Sequence, residues 1–157
     1  KKGDTFTLGD DVTFTVLSPG KPFTKENTQG VSESGLTNDN SIVCKMTYGQ
    51  FSTMFTGDAQ KEVEEKILKD YKPADLKSDV LKVGHHGSKT SSSDAFVKAI
   101  APKAATISCA AGNQYKFPHE PTLKTLQKYN VEVYRTDRNG VITITTDGSS
   151  YSIEKEH

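Results

Sequence analysis

Three short runs constrain how this chain can fold. Residues 41–48, 79–83 and 104–109 are near-continuously apolar or small, the pattern of strands buried on both faces. The segments between them have another period. Ala59, Val63, Ile67 and Tyr71 recur every four residues, so 59–71 reads as an amphipathic helix. Ser93 stands where it would cap a second helix with Phe96, Val97 and Ile100 on its inner face. Pro121 suits the first turn of a third, with Leu123 and Leu126 inward. Alternation at 5–8 and 12–17 around Gly9-Asp10-Asp11 is a hairpin signal, and 51–56 pairs with 41–48 around Gly49-Gln50. Residues 131–136, 141–146 and 150–154 close the chain as strands, with Asn139-Gly140 and Asp147-Gly148 as tight turns. The polar stretch 18–40 reads as one long loop, functional or mobile. Interspersed strands and helices over 157 residues predict a single α/β domain, 1–157.

Composition excludes some functions. Lys+Arg and Asp+Glu are both 20, so no global positive field drives nucleic-acid binding, although a local site still can. No apolar run approaches the ~18 residues of a membrane span. Lys1 is not a natural start, so the chain reads as a fragment or mature form, and a targeting signal would lie before it. Cys44 and Cys109 lack zinc-site spacing, read as buried free thiols and do not settle the redox compartment.

Chemistry concentrates where strands end. In Thr56-Gly57-Asp58, Asp58 is either the N-cap of the next helix or a carboxylate facing the crevice at a strand's C-terminal end, able to bridge two cations. Gly84-His85-His86-Gly87-Ser88 places two histidines in a Gly/Ser loop after a strand, which packing explains poorly. Adjacent residues leaving a strand point apart, so one metal takes only one histidine, leaving the other for a hydrogen bond or the substrate. Ser88, Lys89 and Thr90 either donate to an anionic substrate or form a solvated loop. Asn113 and His119 follow a third strand; His119 is a cap or surface residue, or it joins Asn113 at the crevice mouth. Residues 37–41, Thr-Asn-Asp-Asn-Ser, are turn residues or supports for the site. Gathered at one sheet edge, these groups would suit metal-assisted hydrolysis.

The order of these motifs resembles one branch of the metallo-β-lactamase superfamily. They run Asn38-Asp39-Asn40-Ser41-Ile42-Val43, Thr56-Gly57-Asp58, Val83-Gly84-His85-His86-Gly87-Ser88, Asn113…Pro118-His119 and, in part, Tyr134-Arg135-Thr136-Asp137…Gly140-Val141-Ile142. That branch includes the C-terminal domain of ComEC-type DNA-uptake (competence) proteins, and the likeness covers about residues 12–154. It implies an αββα sandwich of which this chain is the C-terminal half, a mixed sheet with helices on one face. It implies that Asp58 is the metal-bridging carboxylate and that His85 or His86, with His85 favoured, is a metal ligand, the three together being the catalytic residues. Ser88, Asn113 and His119 would stand on the substrate side. Two divalent ions, zinc or manganese, are expected in the intact parent, and this chain alone need not bind either. The four histidines here are His85, His86, His119 and His157, so the family's first-half H-x-H-x-D-H motif is absent. Catalytic zinc usually needs about three protein ligands per ion, so an N-terminal half or a partner chain would supply the rest.

The function expected is therefore the C-terminal portion of a metal-dependent hydrolase, phosphodiesterase or nuclease, inactive alone and acting on nucleic acid or nucleotide at the cell envelope or its extracellular side. The alternative is a non-catalytic binding or assembly module. An uncovered apolar face on half a sandwich also predicts association, as a homodimer or larger.

Overall fold

The sheet begins as a meander. In the computed structural model, which describes residues 1–28 and 32–157, β1 (Thr5–Leu8), β2 (Val12–Ser18), β3 (Val43–Tyr48) and β4 (Phe51–Phe55) pair antiparallel in sequence order. Thereafter each strand is parallel to its predecessor: β5 (Val80–Lys82), β6 (Ala104–Ile107) and β7 (Glu132–Arg135) complete one seven-stranded sheet. Parallel neighbours need a long crossover. Helices α2 (Lys61–Asp70) and α3 (Pro73–Leu76) supply the first, α4 (Asp94–Ile100) the second and α5 (Glu120–Lys128) the third. Every strand from β4 to β7 therefore ends at the same edge.

The side-chain period of two divides the sheet into two faces. Met54, Leu81, Ala105 and Ile107 enter one core with Val63, Ile67, Leu76, Phe96, Val97, Ile100 and Leu126 of the helices. The helices thus lie on one face, as expected. Glu64 of α2 ties α4 to it: its buried carboxylate accepts from Ser92 N at 2.5 Å and Ser93 N at 2.8 Å. Ser93 holds the N-cap position of α4, but its own side chain makes no capping bond.

Three expectations need correction. The stretch 18–40 is not one loop. It contains α1 (Glu33–Asp39), capped by Ser32, and Leu36 and Phe23 pack into the helix-side core. The expected mobility falls partly on residues 29–31, which lie outside the described residues. Asn139-Gly140 is not a hairpin turn: Thr136–Asn139 forms α6, and Gly140 ends it at φ 64°. The strands are also shorter than their apolar runs, because residues after β5 and β6 turn away to build the site.

The face away from the helices is partly covered. Hairpin β8 (Ile142–Thr146) and β9 (Tyr151–Lys155) sets Ile144, Tyr151 and Ile153 against Phe51, Val80 and Ala104. Beyond the hairpin a row remains open. Phe6 stacks on Phe14 at 4.7 Å, Phe14 on Phe55 at 6.4 Å, and Phe6 and Leu8 are 53% and 68% exposed.

Candidate active site

Because β4, β5 and β6 run parallel, the turns that follow them meet. Asp58, His85, His86, Ser88, Asn113 and His119, the six residues to which the resemblance gives site roles, line one cavity of about 760 Å³ at that edge.

Asp58 reaches it through a glycine turn. Gly57 has φ +51°, and a Cβ there would lie 2.8 Å from Ser41 Cβ, so the strand leaves the sheet tightly over Ser41. The Ser41 hydroxyl accepts from Asp58 N at 3.0 Å. Asp58 is not a helix cap. Helix α2 starts at Lys61 with Gln60 as N-cap, and Asp39 accepts the Gln60 N–H at 3.2 Å. Among the described residues the Asp58 carboxylate accepts no hydrogen bond; its ionic neighbour is His86, with Nε2 3.7 Å from Oδ1.

The histidines occupy a 3₁₀ turn, Gly84–Gly87, in which both are left-handed: His85 at φ 48°, His86 at φ 55°. That conformation costs an L-residue roughly 1–2 kcal/mol each, and such strain persists only where the surroundings over-determine it. Here His85 N donates to Gly57 O at 3.0 Å, Ser88 N to His85 O at 2.8 Å and His119 N to Gly87 O at 2.9 Å. Gly87 has φ +83°, and a Cβ there would sit 2.5 Å from Pro118 Cβ.

His86 is oriented from behind. Its Nδ1 lies 2.8 Å from the Ser108 carbonyl oxygen. A carbonyl only accepts, so Nδ1 carries a proton, and Nε2 is the ring nitrogen turned toward Asp58. The same peptide plane is held on its other edge, where Thr136 Oγ1 accepts from Cys109 N at 2.9 Å; the same hydroxyl donates to Cys109 O of the next peptide at 2.8 Å. Asp137 accepts from Cys109 Sγ at 3.3 Å and pairs with Arg135 at 2.6 Å. His85 is less tied, with Nδ1 3.4 Å from Thr90 Oγ1. Burial pushes its imidazole below the ordinary value, with Asp58 opposing.

No family model matches the chain. Individual proteins do. It is 39% identical over 142 residues to ComE operon protein 3 of Bacillus subtilis, covering 90% of this chain and 17% of that protein. It is 35% identical to competence protein ComA of Neisseria gonorrhoeae, over 67% of this chain and 15% of that protein. Recombination protein 2 of Haemophilus influenzae is 33% identical, over 83% and 15%. This chain belongs to the family of ComEC-type competence proteins. It spans about one sixth of the length of these relatives.

In this ComEC-type chain the other three expected residues keep their polar atoms within the loops. Asn113 Nδ2 donates to Ala110 O and Phe117 O, and its Oδ1 accepts from Phe117 N. His119 Nδ1 accepts from Lys89 N at 3.0 Å, and Nε2 donates to Tyr115 O at 3.1 Å. Ser88 is buried, bonded to Thr90, and its carbonyl accepts from Thr122 Oγ1. They shape the cavity wall. Sequence reasoning missed Phe117, whose ring meets those of His85 at 5.5 Å, His86 at 6.0 Å and His119 at 5.0 Å. A phenylalanine inside a Gly/Asn/His loop, away from any apolar run, was the available signal. Lys82, outside the cavity lining, donates from Nζ to Val83 O at 2.9 Å, and burial pushes its pKa down. Among the described residues no three His, Cys, Asp or Glu side chains group closely enough to hold an ion.

Proposed function

We propose that this chain contributes one half of a metal-dependent phosphodiesterase site, with Asp58 and His86 as its share of the ligands. The observation that carries the reading is the Asp58–His86 pair. At 3.7 Å the atoms are too far apart for a hydrogen bond. One cation spans such a gap, since zinc bonds to nitrogen and oxygen are each about 2.0–2.2 Å. The Nδ1–H to carbonyl bond behind His86 is the support that metal-ligating histidines usually carry. The pairing favours His86 over His85 as the ligand and leaves His85, next to Thr90, for the substrate.

Divalent cations, zinc or manganese, would supply Lewis acidity at a phosphodiester. The chain's own residues would do the rest: Asp58 presents two carboxylate oxygens, His86 is held in one tautomer, and the loop around Asn113 and His119 bounds the substrate. Two ligands do not complete a catalytic ion's set, so the reading includes an N-terminal half-domain carrying H-x-H-x-D-H. The open Phe6–Phe14–Phe55 row is the surface proposed for that half, or for a second copy when the chain is alone. Nucleic acid is the proposed substrate and the cell envelope or its outer side the proposed place. Among the described residues no helix is long and apolar enough to cross a membrane.

Manganese titration followed by NMR tests the assignment. Paramagnetic broadening should centre on Asp58 and His86 and vanish in Asp58→Asn; broadening centred elsewhere would overturn it. A parent sequence lacking H-x-H-x-D-H would favour the non-catalytic module instead.

A further inference from the structure

We infer that Tyr115 and Phe117 form a stacking platform for an unpaired nucleobase at the outer end of the Asp58–His86 pocket. The inference rests on the phosphodiesterase reading and narrows its substrate to single-stranded nucleic acid. Three rings step outward from Asp58 in near-parallel planes. His86 and Phe117 are 6.0 Å apart at 24°, and Phe117 and Tyr115 are 5.4 Å apart at 22°. The inner rings are held. Phe117 is met edge-on by His85 at 61° and His119 at 69°, so its ring cannot rotate without displacing both. The backbone beneath Tyr115 is fixed as well, since Tyr115 O accepts from His119 Nε2 and Asn113 closes the loop on both polar atoms of Phe117.

The outermost ring is open. Tyr115 is 62% exposed although it lines the cavity. It belongs to neither apolar core. A rigid, amphipathic aromatic at the mouth of a polar site offers a face to another π-system. Every base has such a face, so stacking of this kind tolerates any sequence, but the base must be unstacked from its own duplex. The zero net charge supports the same conclusion. Sequence-independent binding normally comes from phosphate neutralisation, and with little global field available, affinity here leans on the ring contact. A nucleotide whose phosphate lies at Asp58 and His86 would place its own or its neighbour's base two ring spacings out, on Tyr115. Exposed Lys116 stands between Tyr115 and Phe117 in the sequence.

The test compares three probes on the full chain by fluorescence anisotropy: single-stranded oligothymidylate, an abasic oligomer of the same length and the corresponding duplex. The base-bearing single strand should bind about tenfold more tightly than either of the others. Tyr115→Ala should erase the advantage and Tyr115→Phe keep it, with ¹H–¹⁵N spectra confirming the fold of both. Equal affinity for thymidylate and abasic oligomers, unchanged thymidylate binding in Tyr115→Ala, or no binding of thymidylate would each overturn the platform. Manganese broadening at His86 is read on the same samples. If it persists while the base advantage is absent, the platform fails and the hydrolase reading stands; if it is absent while the advantage is present, the reverse holds.

Discussion

Replacing Thr136 with valine probes how His86 is aimed. Valine keeps the β-branched shape but removes the hydroxyl that accepts from Cys109 N and donates to Cys109 O. Cys109 N–H and Ser108 C=O belong to one planar peptide unit. Thr136 holds its donor edge, and the His86 Nδ1–H bonds its acceptor edge at 2.8 Å. A half-buried N–H left without a partner costs about 1–3 kcal/mol, so a loss of about 2 kcal/mol is expected. For a chain of this length that is a fall of about 4–8 °C in Tm. Urea unfolding should show a lower midpoint at unchanged slope. Freed from Thr136, the peptide should tilt and the His86 ring with it. Outer-shell changes typically cost 10–100-fold in metal affinity, and Thr136 stands one bond further out, so about tenfold weaker manganese binding is expected. A loss below about 0.5 kcal/mol, with unchanged His86 ring shifts, would refute the chain of support from Thr136 to His86.

Gly87→Ala should cost at least about 2 kcal/mol, since it adds left-handed strain and a Cβ 2.5 Å from Pro118; a thermal melt equal to the wild type would contradict the packing described. Asp137 is held below its ordinary 3.8 chiefly by Arg135, so its contribution is present above that pH and is lost as pH falls through the lowered value. Urea midpoints of wild type and Asp137→Asn should therefore converge in acid, and parallel pH curves would count against the pair. The Phe6–Phe14–Phe55 row predicts concentration-dependent association in sedimentation, weakened by Phe6→Ser; a clean monomer at all concentrations argues otherwise. The chain alone should show little hydrolase activity with added manganese or zinc, and Asp58-dependent cleavage of a generic phosphodiester would prove that expectation wrong.

Much of this was readable from residues 41–48, 79–83 and 104–109 and the helices between them. Apolar runs joined by four-residue periodicity leave few alternatives to a layered α/β sheet, because backbone hydrogen bonding and burial are local and pattern-driven. The candidate site residues were legible for the same reason: each stands just after a strand. Their roles were not. That Asp58 does not cap a helix was not readable, because the Gln60 N–H is taken by Asp39, nineteen positions before Asp58. Residues 33–39 show no clear helical period; the helix there is capped by Ser32 and buries Leu36 in the helix-side core. His86 rather than His85 faces Asp58 because of a carbonyl on another strand's exit, held by a threonine from a third. Sequence alone determined which segments become strands and helices and which polar residues cluster at their ends. Tertiary structure alone decided which atoms face one another, because a left-handed turn and a peptide plane are set by contacts between segments far apart in the chain.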